Sequence, residues 1–334
     1  MEQFDLLIIG AGPAGISAAD CAKQADLNYL VLERGLIGDT IYHYPVGCPV
    51  FSTIDELELR EGALRPAREK PTREELLSYY VRFCLDNDLK INTGEEATQI
   101  ERDAVHDGFR VRTTRGEYRT AKVLVCTGAM AHPRRLNVKG EDLPHVHHLF
   151  VEAYPYVRRP VVVVGGGNSA AEAALFLAQE GARISLLILR SDWENRDPKK
   201  GAIKKWVREP LEREIERGRL QVILLREVEE FSAGAVRLHT DAGETLTIPN
   251  DAAFILIGSD PNLTLLREAG VEIYRDPERG CELPRYDAET FETNIRGIYV
   301  VGHFTHARHI KEAIAVPRRI MPLIAQGLRS TMAV

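Results

Sequence analysis

A chain of 334 residues with 44% apolar and 28% charged residues has an ordinary globular composition and the length of about two domains. The net charge of −6 gives no bulk attraction for nucleic acid, and no apolar run approaches the ~20 residues needed to cross a bilayer. The cysteines, Cys21, Cys48, Cys84, Cys126 and Cys281, are odd in number and widely spaced, with no Cys-x-x-Cys pair. This argues against a disulfide framework, a cysteine zinc site and a local redox dithiol.

The opening Met-Glu-Gln-Phe-Asp lacks a basic leader, so the expected compartment is the cytoplasm. Phe4 to Ile9 is an apolar run that predicts a buried parallel strand. Gly10-Ala-Gly-Pro-Ala-Gly15 follows, then a helix over Ile16 to Ala25 and a second strand over Leu27 to Leu32, ending at Glu33. Residues 35 to 70 read as irregular. Thr72 to Asp86 has helical spacing, with Leu76, Leu77, Tyr80 and Phe83 on one face. Lys90 to Thr120 alternates as a small antiparallel meander with a turn at Arg115-Gly116. Val123 to Cys126 is a further buried strand, ending at Thr127-Gly128.

The opening pattern then returns. Val161 to Val164 is a strand, Gly165-Gly-Gly-Asn-Ser-Ala170 a glycine turn, Ala171 to Gln179 a helix and Ile184 to Leu189 a strand. Two βαβ units in one chain carry far more information than one. Phe254 to Ile257 and Ile298 to Val301 are later strands, ending at Gly258 and Gly302, and a helical segment begins near Ile310.

In the first turn Gly10 permits the bend, Gly12 leaves room for a pyrophosphate, and Gly15 lets the helix pack closely on the strand. The helix N-terminus offers free N–H groups and a partial positive charge to the phosphates. Glu33 ends the second strand, 23 residues after Gly10, where a carboxylate can accept hydrogen bonds from ribose hydroxyls. The second turn is Gly165-x-Gly167-x-x-Ala170. No acid stands at the matching position. Ile188 is followed by Leu189 and Arg190, with Arg196, Lys199 and Lys200 beyond. An arginine there suits a 2′-phosphate, which a carboxylate would repel, so the pattern favours NADP over NAD. The two sites together imply hydride transfer involving a second bound dinucleotide, whose identity spacing alone does not give.

The order GAGPAG, Glu33, Cys126-Thr127-Gly128, GGGNSA, Ile257-Gly258 and Ile298-Tyr-Val-Val-Gly302 resembles the two-dinucleotide-binding-domain flavoproteins, in their thioredoxin-reductase-like branch. The resemblance implies an α/β fold of two Rossmann-like domains and a small meander. A discontinuous FAD domain would span residues 1–128 and 259–334, with an NADPH domain inserted over residues 129–258. The stretches Asp39-Thr-Ile-Tyr-His-Tyr-Pro45, Phe51-Ser-Thr53, Lys70-Pro-Thr-Arg73, Gly140-Glu-Asp-Leu-Pro144 and Tyr154-Pro-Tyr156 look like the YpdA family of NADPH-dependent bacillithiol disulfide reductases. On this reading the FAD site comprises Gly10, Gly12, Pro13, Ala14, Gly15, Glu33, Arg34, Thr40, Tyr42, His43, Thr127, Gly128, Gly302 and His303. The NADPH site comprises Gly165, Gly167, Asn168, Ser169, Ala170, Arg190 and Arg196, with Gly258 at the second domain boundary. The family further implies a homo-oligomer, dimer or tetramer, acting on a small-molecule disulfide.

Two positions depart from the pattern. The YpdA family carries a cysteine in its first glycine turn, as GGGPCG, where this chain has Ala14. The wider superfamily has an acid after the final glycine, where this chain has His303, as YpdA-type sequences also lack that acid. Cys48, in a loop expected near the flavin, is the candidate substitute thiol, although packing is the commoner role of a free cysteine. His303 is the candidate proton donor or tuner of flavin potential. His303, His306 and His309 recur every third residue but make too small a ligand set for a metal, and none is expected. Three functions stay open: a disulfide reductase, a related flavoprotein reducing ferredoxin, quinone or flavin, and a non-catalytic redox sensor holding both nucleotides.

Overall fold

The computed structural model describes residues 2–188, 203–307 and 309–332. The chain divides into two compact units, Met1–His132 with Asp260–Val334, and Pro133–Ser259.

In the first unit β1 (Gln3–Ile9) lies between β2 (Tyr29–Glu33) and β6 (Glu117–Val125), parallel to both. A strand flanked on both edges and covered on both faces has no polar side to show, hence its continuous apolar run. Leu6 and Ile8 enter one core layer, Leu7 and Ile9 the other, as the two-residue period of a strand requires. Leu6, Leu7 and Ile8 are fully buried, each contributing about 1.5–3 kcal/mol. The layer under Leu6 and Ile8 is closed by α1 (Pro13–Gln24) and by the last helix of the chain. α1 turns Ala18, Ala19 and Ala22 inward, small side chains that bring its axis close to the sheet.

Two single-turn helices, α2 (Asp39–Tyr42) and α3 (Ile54–Leu57), interrupt the segment read as irregular. α4 (Arg73–Asp86) starts at a capping box: Thr72 Oγ1 accepts from the Glu75 N–H, and Glu75 Oε2 accepts from the Thr72 N–H at 2.9 Å. β3 (Ile91–Thr93) adds to the edge of β2. β4 (Ala97–Arg102) and β5 (Phe109–Thr113) form the meander with β6. The meander's third strand and the buried strand ending near Cys126 are one continuous element, not two. The first half of β6 pairs antiparallel with β5, while its length runs parallel to β1.

The chain crosses between units at β7 (His132–Pro133). In the second unit β8 (Val146–His147), β9 (Pro160–Val164), β10 (Arg183–Ile188) and β14 (Ala252–Ile255) are parallel, with α5 (Asn168–Gln179) following the second glycine turn. α6 (Lys205–Glu216) leads into β11 (Leu220–Ser232), β12 (Gly234–Thr240) and β13 (Thr245–Asn250). β11 repeats the device of β6: it pairs parallel with β10 at its start and antiparallel with β12 beyond Leu225. This second meander is not among the expected elements, although Val236 with Leu238 and Leu246 with Ile248 carry its two-residue period.

The chain returns through β15 (Ser259–Asp260) to α7 (Thr264–Glu268), the hairpin of β16 (Ile273–Asp276) with β17 (Cys281–Pro284), and β18 (Ile298–Val300), which pairs parallel with β6. The long helix α8 (Ile310–Met332) lies against α1, where Ser17 Oγ donates to the Ile314 carbonyl at 2.7 Å.

Candidate functional site

A cavity opens in the first unit at the carboxyl ends of β1, β2, β6 and β18, where α/β sheets bind their ligands. Its floor is the glycine turn. Gly10 has φ +107°, and a Cβ there would stand 2.7 Å from the Cys126 carbonyl oxygen. A Cβ on Gly15 would stand 1.8 Å from the Gly10 oxygen. These two glycines are required by the protein's own packing. Gly12 is different: its φ of −76° suits any residue, and a Cβ there would meet nothing within 4 Å. It faces open space at the N-terminus of α1, whose first N–H groups have no acceptor within the helix.

Glu33 closes the turn from the side. It is 8% exposed, its Oε2 accepts from the Ala11 N–H and its Oε1 from the Gly35 N–H, both at 2.7 Å. Burial pushes its carboxyl above the usual range, and the two N–H groups oppose that. Each carboxylate oxygen retains a second lone pair for a sugar hydroxyl.

Of the residues expected at FAD, the cavity wall holds Gly10, Gly12, Pro13, Ala14, Glu33, Arg34, Thr40, Thr127, Gly128, Gly302 and His303. Gly15 lies beneath the turn. Tyr42 and His43 are not on the wall, whereas Tyr44 is. The reason is Arg73. Its guanidinium donates to the Tyr42 carbonyl from Nε at 2.9 Å and Nη2 at 2.6 Å, and sits 5.1 Å from the Tyr42 ring centre. His43 Nδ1 donates to the Asp39 carbonyl at 2.8 Å. Glu96 and Asn262 join the wall without belonging to any motif, so no sequence signal marks them, and His309 of the histidine repeat joins it too.

Cys48 is 3% exposed and off the wall, with its N–H on the Pro45 oxygen and its carbonyl accepting from the Arg73 N–H. The cysteine that does reach the wall is Cys126, and burial holds its thiol far above the ordinary range. Burial likewise raises Cys84 to about 12 and Cys21 to about 11. His303 and His309 line the cavity, but His306 turns to Tyr286, its Nδ1 lying 2.9 Å from that hydroxyl. The three histidines therefore do not converge.

The second unit repeats the glycine logic. Gly165 has φ +152°, and a Cβ there would stand 2.4 Å from the Leu256 oxygen and 2.8 Å from the Ala170 Cβ. Gly167 has φ −101°, and a Cβ there would meet nothing within 4 Å. Ala170 is buried beneath the turn and Ser169 is exposed. Asn168 Oδ1 accepts from the Lys204 N–H at 2.9 Å, closing the helix start. Gly258 has φ +104°, and its carbonyl accepts from the Arg134 N–H. Arg190 and Arg196 lie outside the described residues.

One turn into α5, burial raises the carboxyl of Glu172 to about 7, with Lys204 opposing. Glu172 therefore holds its proton more tightly folded than unfolded. Stability falls as pH rises from the ordinary carboxylate value of 4.5 to about 7. Glu172→Gln is expected to stabilise the protein by about 2–3 kcal/mol at pH 8 and to add little at pH 4. Urea unfolding at both pH values checks this; an equal effect at the two would contradict it.

The model of the family described as pyridine nucleotide-disulphide oxidoreductase matches residues 7–302, spanning both glycine turns and the final glycine. The chain belongs to this family. It is 33% identical over 302 residues to the bacilliredoxin reductase Bdr of Bacillus subtilis (strain 168), covering 90% of each chain. It is 28% identical over 329 residues to a ferredoxin–NADP reductase of Ignicoccus hospitalis, covering 97% of this chain and 94% of the relative. The solved bacillithiol disulfide reductase Bdr (YpdA) from Staphylococcus aureus superposes with a TM-score of 0.90 at 29% identity, over 98% of this chain and 99% of that one. The resemblance to the YpdA family read from the sequence is thereby established, as is the fold of two Rossmann-like units with antiparallel meanders. No described helix is long and apolar enough to cross a membrane.

Proposed function

We propose that this chain is an FAD-dependent, NADPH-oxidising reductase of a low-molecular-weight thiol disulfide, converting NADPH, a proton and one disulfide into NADP⁺ and two thiols. One observation carries the cofactor half. In each glycine turn the glycine at the third position, Gly12 or Gly167, is demanded neither by φ nor by any protein atom within 4 Å. Both fit a close approach of a pyrophosphate to the main chain. When bound, FAD supplies the two-electron centre and NADPH the hydride. Gly10, Gly12, Pro13 and Ala14 with the α1 N-terminus would hold the first pyrophosphate, Glu33 its ribose, and Gly302 and His303 the far end of the cavity. Gly165, Gly167, Asn168 and Ser169 with the α5 N-terminus would hold the second, and Arg190 with Arg196 its 2′-phosphate. The disulfide half rests on the similarity to the two Bdr proteins.

A second reading, transfer to ferredoxin or a quinone, is favoured by the cavity wall. Position 14 carries a methyl group, and the one cysteine on the wall, Cys126, is held protonated by burial. A disulfide reductase built this way passes electrons without a protein thiol, or through Cys48 after the loop around it opens. Steady-state NADPH oxidation with bacillithiol disulfide, and separately with ferredoxin and a quinone, decides between the readings. Turnover with the disulfide, kept in Cys48→Ser and Cys126→Ser, supports thiol-free reduction. Loss in Cys48→Ser alone with flavin retained assigns the thiol, and turnover only with the other acceptors overturns the disulfide reading.

A further inference from the structure

The geometry points to Arg279 as the positioning residue for the His303 end of the cavity. After β18 the chain makes a tight loop. Gly302 adopts φ +110°, and its carbonyl accepts from both the Thr305 N–H at 2.8 Å and the Thr305 hydroxyl at 2.7 Å. Gly302 and His303 stand on the cavity wall, while Thr305 is buried beneath them. This inner closure fixes Gly302 but leaves the carbonyls of His303 and Thr305 to be held from outside.

Arg279 holds both. It sits in the turn between β16 and β17, with Nη2 donating to the His303 oxygen at 2.7 Å and Nη1 donating to the Thr305 oxygen at 2.9 Å. A rigid, planar guanidinium bridging two carbonyls two positions apart fixes the planes of both peptides. The two peptides are thereby locked in orientation on the residue that lines the cavity, 24 positions away in sequence. Arg279 is itself held: Asp276 Oδ1 accepts from the N–H groups of Glu278 at 2.9 Å and Arg279 at 2.8 Å. The Thr305–His306 peptide is also fixed from its other end, where the His306 N–H donates to the Tyr286 hydroxyl at 2.8 Å. Arg279 lines no part of the cavity, so its effect on a bound flavin runs through the His303 backbone to the side chain that this backbone carries.

The inference rests on the FAD reading of this cavity, and the test separates the two. FAD affinity is measured by fluorescence titration of flavin-stripped protein, together with the midpoint potential of the bound flavin. The variants are Arg279→Ala, Arg279→Lys, His303→Ala and the Arg279→Ala/His303→Ala pair. Arg279→Ala is expected to weaken FAD binding about tenfold, the scale of one charge-assisted hydrogen bond, and to shift the potential. Arg279→Lys, which reaches one carbonyl, is expected to recover part of both, and serves alone if the alanine variant does not fold. In the His303→Ala background the Arg279→Ala penalty is expected to shrink, because the two act as one unit. Wild-type affinity and potential in Arg279→Ala would overturn the positioning role, as would a penalty undiminished in the pair. A wild-type chain that takes up no FAD would overturn the functional reading itself.

Discussion

Replacing Gly12 by valine is expected to strip FAD from a protein that still folds, whereas replacing Gly15 by alanine is expected to damage the fold. The two positions are three residues apart in one turn, yet they are constrained by different partners. A Cβ on Gly12 meets no protein atom within 4 Å, and its φ of −76° is ordinary, so the flavin-free chain accommodates a side chain there. A pyrophosphate seated on the α1 N-terminus does not. FAD affinity is expected to fall by about 100-fold, since overpacking a fitted site costs about 1–3 kcal/mol. The melting temperature of the flavin-free protein is expected to stay put. A Cβ on Gly15 would overlap the Gly10 oxygen at 1.8 Å, so the helix must move off the strand, at a cost of roughly 3 kcal/mol or more to the flavin-free chain. Flavin content after gel filtration and thermal unfolding of both forms check the contrast. An unchanged FAD affinity in Gly12→Val would show that no phosphate approaches that turn.

Gly167→Val is expected to act on the other nucleotide alone. Here too φ is ordinary and nothing in the protein stands within 4 Å of a Cβ, so the second unit folds around the valine. The KM for NADPH is expected to rise about 100-fold, with flavin content unchanged, because the two cradles belong to separate units. Stopped-flow reduction against NADPH concentration separates this from a slower chemical step. Loss of flavin in this variant would contradict two independent sites, and an unchanged KM would remove NADPH from the second turn.

What the sequence disclosed and what it withheld follow from the range of the interactions. Gly10, Gly15 and Gly165 are legible because each is forced by a contact with backbone or a neighbouring Cβ at a fixed spacing. Glu33 is legible because it terminates a strand whose length the fold fixes. The fusion of the meander with the central strand in β6 is hidden because its two ends differ in burial, mostly half-buried at first and continuously buried over the last three residues. The second meander is harder to read because β13 is only half-buried at Leu246 and Ile248 on its inner face and turns Thr245, Thr247 and Pro249 outward, the proline interrupting the strand pattern. Tyr42 and His43 are expected at the flavin from the family-like stretch Asp39 to Pro45. Arg73, 31 residues away, holds Tyr42 by its carbonyl and ring, while Tyr44 reaches the wall. Arg279 had no signal at all, because a side chain gripping backbone carbonyls 24 and 26 residues ahead leaves no pattern.

The absence of a thiol at position 14 gives the alternative acceptors their weight, and it is also experimentally useful. The Ala14 side chain is 5% exposed on the cavity wall, and a Cβ added to Gly302 would lie 3.7 Å from its methyl carbon. A thiol introduced by Ala14→Cys replaces one hydrogen of that methyl group, a small change in a wall that adjoins open cavity. The variant is expected to fold, keep FAD and, in its flavin-free form, take up one more equivalent of a thiol-alkylating reagent than the wild type, whose Cys21 and Cys281 are partly exposed. Equal uptake by both would show that position 14 is closed to solutes.

The most direct measurement is an anaerobic titration of the purified, flavin-loaded chain with NADPH, followed by bacillithiol disulfide. NADPH is expected to bleach the yellow flavin band, NADH to do so far less well, and the disulfide to restore the colour with release of two thiols per disulfide. A chain that takes up FAD but is not bleached by NADPH would contradict this, leaving a protein that holds nucleotides without passing electrons between them.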